Sequence, residues 1–149
     1  MNTGRWRDWL LRAVVTAVFA GAGALKAWDP AEFAFAIDRY RLVPWSAAAG
    51  LALYLPWLEL AGALGLWFRP ARGAARGLLM GLTGIFLVAL ASAWGRGLDI
   101  DCGCFGAAGA GDLSLALLRA SGLLALLWML GRAETPVSGL SPRPTPGDR

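Results

Sequence analysis

Cys102 and Cys104 are the only thiols in the chain, and a single residue, Gly103, separates them. A disulfide between residues i and i+2 needs Cα atoms within roughly 4.4–6.8 Å, so the chain must turn there rather than run extended. Gly103 has no Cβ and admits the positive φ such a turn can require. A bridge between near neighbours closes almost no loop and constrains the unfolded chain little. Strained or exposed disulfides are also the more oxidising ones. The spacing therefore favours thiol–disulfide exchange, with a fixed loop bridge as the competing reading. Metal binding ranks third: two thiolates, no histidine and only Asp99 and Asp101 nearby leave a site short of ligands. The two aspartates also disfavour a thiolate by like charge. Arg96 and the start of the following helix are the nearby features that oppose them. The pair thus suits an oxidant attacked by a partner's thiolate. A self-contained membrane disulfide generator relays electrons through a second dithiol, which this chain lacks. Reoxidation then depends on a quinone, a soluble thioredoxin-like partner or another route.

The elements around this pair are strongly apolar. Of the 149 residues, 57% are hydrophobic and eight are Trp, above the usual ~45–50% for soluble proteins. Mean hydropathy is +0.53. Histidine is absent, which removes the commonest general base and the commonest zinc ligand. The formal charge of +4 comes from arginines near the ends of apolar runs rather than from a basic surface stripe. That charge indicates membrane topology, not nucleic-acid binding.

The fold class expected is an all-α integral membrane protein, a four-transmembrane-helix bundle within residues 1–131. Spans are expected at 9–28, 45–68, 77–95 and 113–131, followed by a disordered cytoplasmic tail over 132–149. Trp6 and Trp9 suit a membrane interface. Ala13, Ala17 and Gly21 form a small-residue face suited to helix packing in lipid. The basic start, the apolar stretch and Ala22-Gly-Ala24 also fit a cleaved signal peptide as a minority reading. Asp29-Pro30-Ala31-Glu32 has the pattern of a helix start, with Asp29 as N-cap and Pro30 at N1. Phe33, Ile37 and Tyr40 then share one face of a short helix at the membrane surface, or belong to an ordinary connecting loop. Arg69 to Arg76 reads as a tight basic loop, and Asp112 as the N-cap of the last span.

Four spans place both termini on one side. The N-terminus, the 69–76 loop and the tail hold nine arginines, against Lys26, Arg39, Arg41 and Arg96 on the opposite side. The excess of positive charge puts the termini in the cytoplasm. The Cys-Gly-Cys loop then faces the periplasmic side of a bacterial inner membrane, an oxidising compartment.

Arg12 and Lys26, near the two ends of the first span, can both snorkel, and the intramembrane charges singled out are Lys26, Glu59 and Arg119. An ionisable group at membrane depth is a functional candidate by default. Glu59 reads either as a proton or substrate site, or as a structural partner of Arg119 or Lys26. The structural role carries more weight, and in either case these residues face the bundle interior.

The sequence resembles the methylamine utilisation protein MauE family, within the DoxX-like group of small four-span membrane proteins. The resemblance rests on Lys26 with Asp29-Pro30 and Phe33, on Tyr40 and Pro44, on Leu55-Pro56-Trp57-Leu58-Glu59, and above all on Arg96-Gly-Leu-Asp-Ile-Asp-Cys-Gly-Cys-Phe-Gly106. It implies a four-helix membrane bundle that supports maturation of an exported, disulfide-containing client. In the namesake that client is the methylamine dehydrogenase small subunit, and the protein works beside a periplasmic thioredoxin-like protein. By the same resemblance Cys102 and Cys104 are a redox pair, and Lys26 and Glu59 are family-pattern positions. The alternative is a non-enzymatic membrane assembly or quinone-associated subunit whose cysteines brace a loop. A small transporter centred on Glu59 is a third reading.

Overall fold

The computed structural model describes residues 3–98 and 113–134. Five helices follow one another: α1 (Thr3–Trp28), α2 (Pro30–Arg39), α3 (Trp45–Gly65), α4 (Arg72–Gly95) and α5 (Leu113–Glu134). All but α2 are long and apolar enough to cross a membrane. They form a bundle in which α1 packs on α3, α3 on α4, α4 on α5 and α5 back on α1. The first and third spanning helices, α1 and α4, therefore sit on a diagonal.

The core follows from helical periodicity. Val15, Phe19 and Ala22 are buried on α1, and Lys26 continues their stripe. On α3 the buried stripe runs Ala48, Ala52, Pro56 and Ala63, with Glu59 at the position between the last two. Val15, Phe19, Ala63, Leu66, Leu79, Leu127 and Leu130 make the larger apolar cluster. At that end of the bundle Trp67 Nε1 donates to Thr16 Oγ1 at 3.0 Å, and Trp9 stacks edge-on against Trp67 with ring centroids 6.3 Å apart.

Several boundaries differ from expectation. α4 starts at Arg72, five residues before the expected Gly77. Alanine and arginine are strong helix formers, Ala75 packs against Gly65, and Arg72 Nε donates to the Leu66 carbonyl at 3.0 Å. That bond satisfies an orphan carbonyl beyond the end of α3. α3 ends at Gly65 rather than 68, because the chain tightens into turns there, with Trp67 N donating to Leu64 O and Phe68 N to Gly65 O. α5 runs to Glu134, past the expected end at 131. Residues 135–149, the rest of the expected tail, lie outside the described residues.

The expected small-residue face is not the packing face. Ala17 and Gly21 are exposed, and a Cβ on Gly21 would meet nothing within 4 Å. The close approach is at Gly23, where a Cβ would lie 3.1 Å from both the Pro56 carbonyl oxygen and Leu60 Cγ. Strict i, i+4, i+8 spacing drifts around a helix of 3.6 residues per turn, and the buried positions alternate steps of four and three.

α2 is a helix, not a loop. Glu32 N donates to Asp29 Oδ1 at 2.9 Å, so Asp29 caps it, with Pro30 in the first turn. Its apolar face, expected at the membrane surface, turns into the bundle: Tyr40 is buried, Phe33 and Ile37 line an internal cavity, and Ala34 and Ala36 are buried as well. The register explains why. Gly23 lies level with residues 56–60 of α3, so α1 ends about 12 Å below the start of α3 at 1.5 Å per residue. α2 fills that gap, packed along the upper part of α3, with the Phe35 and Trp45 rings 4.9 Å apart.

Candidate functional site

The break between α1 and α2 brings Lys26 to Glu59. Lys26 Nζ donates to Glu59 Oε1 at 2.5 Å, and the two side chains are only 10% and 12% exposed. A Cβ built on Gly23 would stand 3.4 Å from Glu59 Cβ, so glycine at this position lets α1 and α3 approach closely enough for this pair. The ammonium also sits over the Phe33 ring, 5.1 Å from its centroid. Buried charge is tolerated when paired, and here the lysine finds both a carboxylate and a π face. The other carboxylate oxygen, Glu59 Oε2, is buried with no hydrogen-bond partner among the described residues.

Of the two partners considered for Glu59, Lys26 is the one it meets. Arg119 has no ion pair with it, yet both line one cavity of about 310 Å³. All five helices contribute to its wall. Phe19, Phe33, Tyr40 and Phe86 supply aromatic surface, and Lys26, Glu59 and Arg119 the charged groups. Lys26 and Glu59 face the interior. Arg119 reaches the cavity from α5 while much of its side chain stays exposed. Thr83 is the buried polar residue of α4, and its hydroxyl donates back to Leu79 O at 2.7 Å.

The residues leading into the cysteine stretch bond to and pack on residues that line the same cavity. Arg96, the first residue of that motif, donates from a guanidinium nitrogen to the Tyr40 carbonyl at 2.5 Å and from Nε to the Ser92 carbonyl at 3.2 Å. Gly97 takes φ +64, which glycine adopts without strain. Leu98 packs against the cluster of Tyr40, Leu90, Ala93, Ala116 and Ala120. Tyr40, Ala116 and Ala120 also line the cavity. Cys102, Gly103, Cys104, Asp99 and Asp101, together with the expected N-cap Asp112, lie outside the described residues. No cluster of three or more metal-ligating side chains occurs among the described residues. α1 and α4 are diagonal in the bundle, and Lys26 turns to Glu59 on α3.

Sequence reasoning missed the cavity itself. The signal available was the alternation in α2, where Phe33, Ile37 and Tyr40 line up on the face that becomes cavity wall.

Comparison with known proteins agrees with this architecture. The profile of the family described as methylamine utilisation protein MauE matches residues 5–132. The methylamine utilization protein MauE of Paracoccus versutus is 36% identical over 98 residues, covering 65% of this chain and 53% of the relative. The protein of the same name from Methylophilus methylotrophus is 37% identical over 91 residues, covering 60% of this chain and 48% of the relative. That from Methylorubrum extorquens is 37% identical over 96 residues, covering 64% and 52%. The chain thus spans about half the length of the curated relatives it matches. No solved structure matches it significantly. With a family profile covering nearly all of a four-span helical bundle, the chain belongs to the MauE family of membrane proteins.

Proposed function

We propose that this protein is a membrane maturation factor in which Cys102 and Cys104 exchange disulfides with an exported partner. The termini lie in the cytoplasm and the cysteine loop in the periplasm, beside the inner membrane. The observation that carries the reading is the pairing of two thiols around one glycine in the connection between α4 and α5. The anchoring of its first residues adds support: Arg96 holds the Tyr40 carbonyl and Leu98 packs on the α4–α5 cluster. Exchange chemistry works best from a rigid scaffold that presents the reacting atoms. The names of the relatives direct the partner search toward methylamine utilisation. In a cell that makes methylamine dehydrogenase, its disulfide-rich small subunit is the first client to test, with a periplasmic thioredoxin-like protein as co-reactant.

The test is the thiol state of the pair in intact cells. Acid-quenched samples are labelled with a mass-tagging maleimide, with and without prior reduction. A mixture of oxidised and reduced forms that shifts when the thioredoxin-like partner is deleted supports exchange. A uniformly oxidised pair, unchanged by partner loss, rejects exchange in favour of a bridge that only braces the loop. Cys102→Ser and Cys104→Ser are each expected to block client maturation while leaving the protein's own level intact.

A further inference from the structure

We propose that the cavity between the five helices binds a lipid-soluble phenolic molecule of the hydroquinone type, whose hydroxyl donates to Glu59 Oε2. This goes beyond the cysteine reading, because it concerns a different set of side chains and an equilibrium property. The cavity, at about 310 Å³, lies at the lower end of the range for small-molecule sites. Its wall is mostly apolar, as such sites are, with few polar groups to fix orientation.

Those polar groups specify the ligand's head. Glu59 Oε1 is taken by Lys26. Oε2 is a buried acceptor with no partner among the described residues, and leaving such a group unsatisfied is costly. It calls for a donor, which a hydroxyl supplies and a fatty carboxylate does not. A carboxylate head would also set a second anion against Glu59. Arg119, on the α5 wall, offers donors only, so a second oxygen on the ligand suits it. Phe19, Phe33, Tyr40 and Phe86 around these groups favour an aromatic ring. Glu59 lies about 21 Å along α3 from its start at Trp45, well within the spanning part of the helix. The ligand therefore has to be soluble in the bilayer.

The experiment measures equilibrium binding of a tritiated short-chain hydroquinone, kept reduced, to the full chain in lipid nanodiscs. It needs no turnover of the cysteines, so failure of this proposal and failure of the exchange reading are told apart. Wild-type protein is expected to bind saturably, with competition by unlabelled hydroquinone and none by dodecanoate. Two variants test the site. Replacing the pair together, Lys26→Met with Glu59→Leu, removes the acceptor without leaving an unpaired buried charge and is expected to weaken binding about tenfold to a hundredfold. Ala89→Phe fills the cavity from the α4 wall, leaves the ion pair in place, and is expected to abolish binding. Thermal unfolding identifies which variants are folded, and either one suffices. The absence of saturable wild-type binding, equal competition by dodecanoate, or unchanged binding in the folded variants overturns the proposal.

Discussion

Gly23 lies against Glu59: a Cβ built on the glycine would stand 3.4 Å from the glutamate Cβ and 3.1 Å from the Pro56 carbonyl oxygen. The nearer neighbour is backbone and gives way less readily than the end of a side chain. Gly23→Ala is expected to destabilise the bundle by about 1–3 kcal/mol, as overpacking does. Gly21→Ala, where nothing lies within 4 Å, is expected to be neutral or stabilising by up to about 1 kcal/mol through helix propensity. Thermal unfolding in detergent distinguishes the two. Equal effects would place the α1–α3 crossing elsewhere.

Lys26 and Glu59 bond at 2.5 Å in a largely buried setting. Glu59→Leu alone leaves an unpaired buried ammonium and is expected to cost about 3–5 kcal/mol, with a similar loss for Lys26→Met alone. The double variant is expected to lose much less than the sum. A double-mutant cycle reads the coupling directly, and additive losses would mean that the pair does not act as a unit.

Arg96 ties the end of α4 to the end of α2 through the Tyr40 carbonyl. Arg96→Gln should release that tie at a stability cost of about 1 kcal/mol or less, since the arginine is largely exposed. The sharper readout is hydrogen exchange, expected to speed up at residues 38–41 and 95–98 while the α1–α3 crossing stays protected.

The proposed orientation is checked with single cysteines in a chain whose Cys102 and Cys104 are serine. Ser46, in the first turn of α3, and Ala74, in the first turn of α4, are both exposed and lie at opposite ends of the bundle. Ser46→Cys is expected to react with a membrane-impermeant maleimide in intact cells, and Ala74→Cys only after permeabilisation. The reverse pattern would invert the topology.

Much of this architecture was legible in the sequence where one physical rule dominated. Four spanning helices follow from the length of the apolar runs, and the start of α2 from the side-chain chemistry of Asp29 and Pro30. Boundaries were less legible where rules competed. Arg72 and Arg76 read as loop because charge favours a membrane edge, but Ala75 packing on Gly65 draws the turn into α4. The packing face of α1 was misplaced because a helix apolar on most sides carries little facial signal. Glu59 was recognised as a buried charge, yet its partner was ambiguous. Simple depth arithmetic assumes that each helix runs from one surface to the other. α1 ends at Trp28, below the level at which α3 starts, and α2 packs along α3 above it, so Lys26 near that joint comes level with Glu59.

The bond between Lys26 and Glu59 also bears on biogenesis. The partners are 33 residues apart in sequence, so the first span reaches the bilayer before its counter-ion has been presented. Lys26 stands in the last turn of α1 and can snorkel, but a lone acidic residue deep in a helix, as Glu59 is in α3, raises the cost of insertion by up to about 2.5–3.5 kcal/mol on translocon scales. Once α1 and α3 enter together as a helical hairpin, each charge is neutralised by the other and that penalty is shared. Insertion of these two spans is therefore expected to be coupled, with the ammonium at the end of the first lowering the cost of the carboxylate within the second.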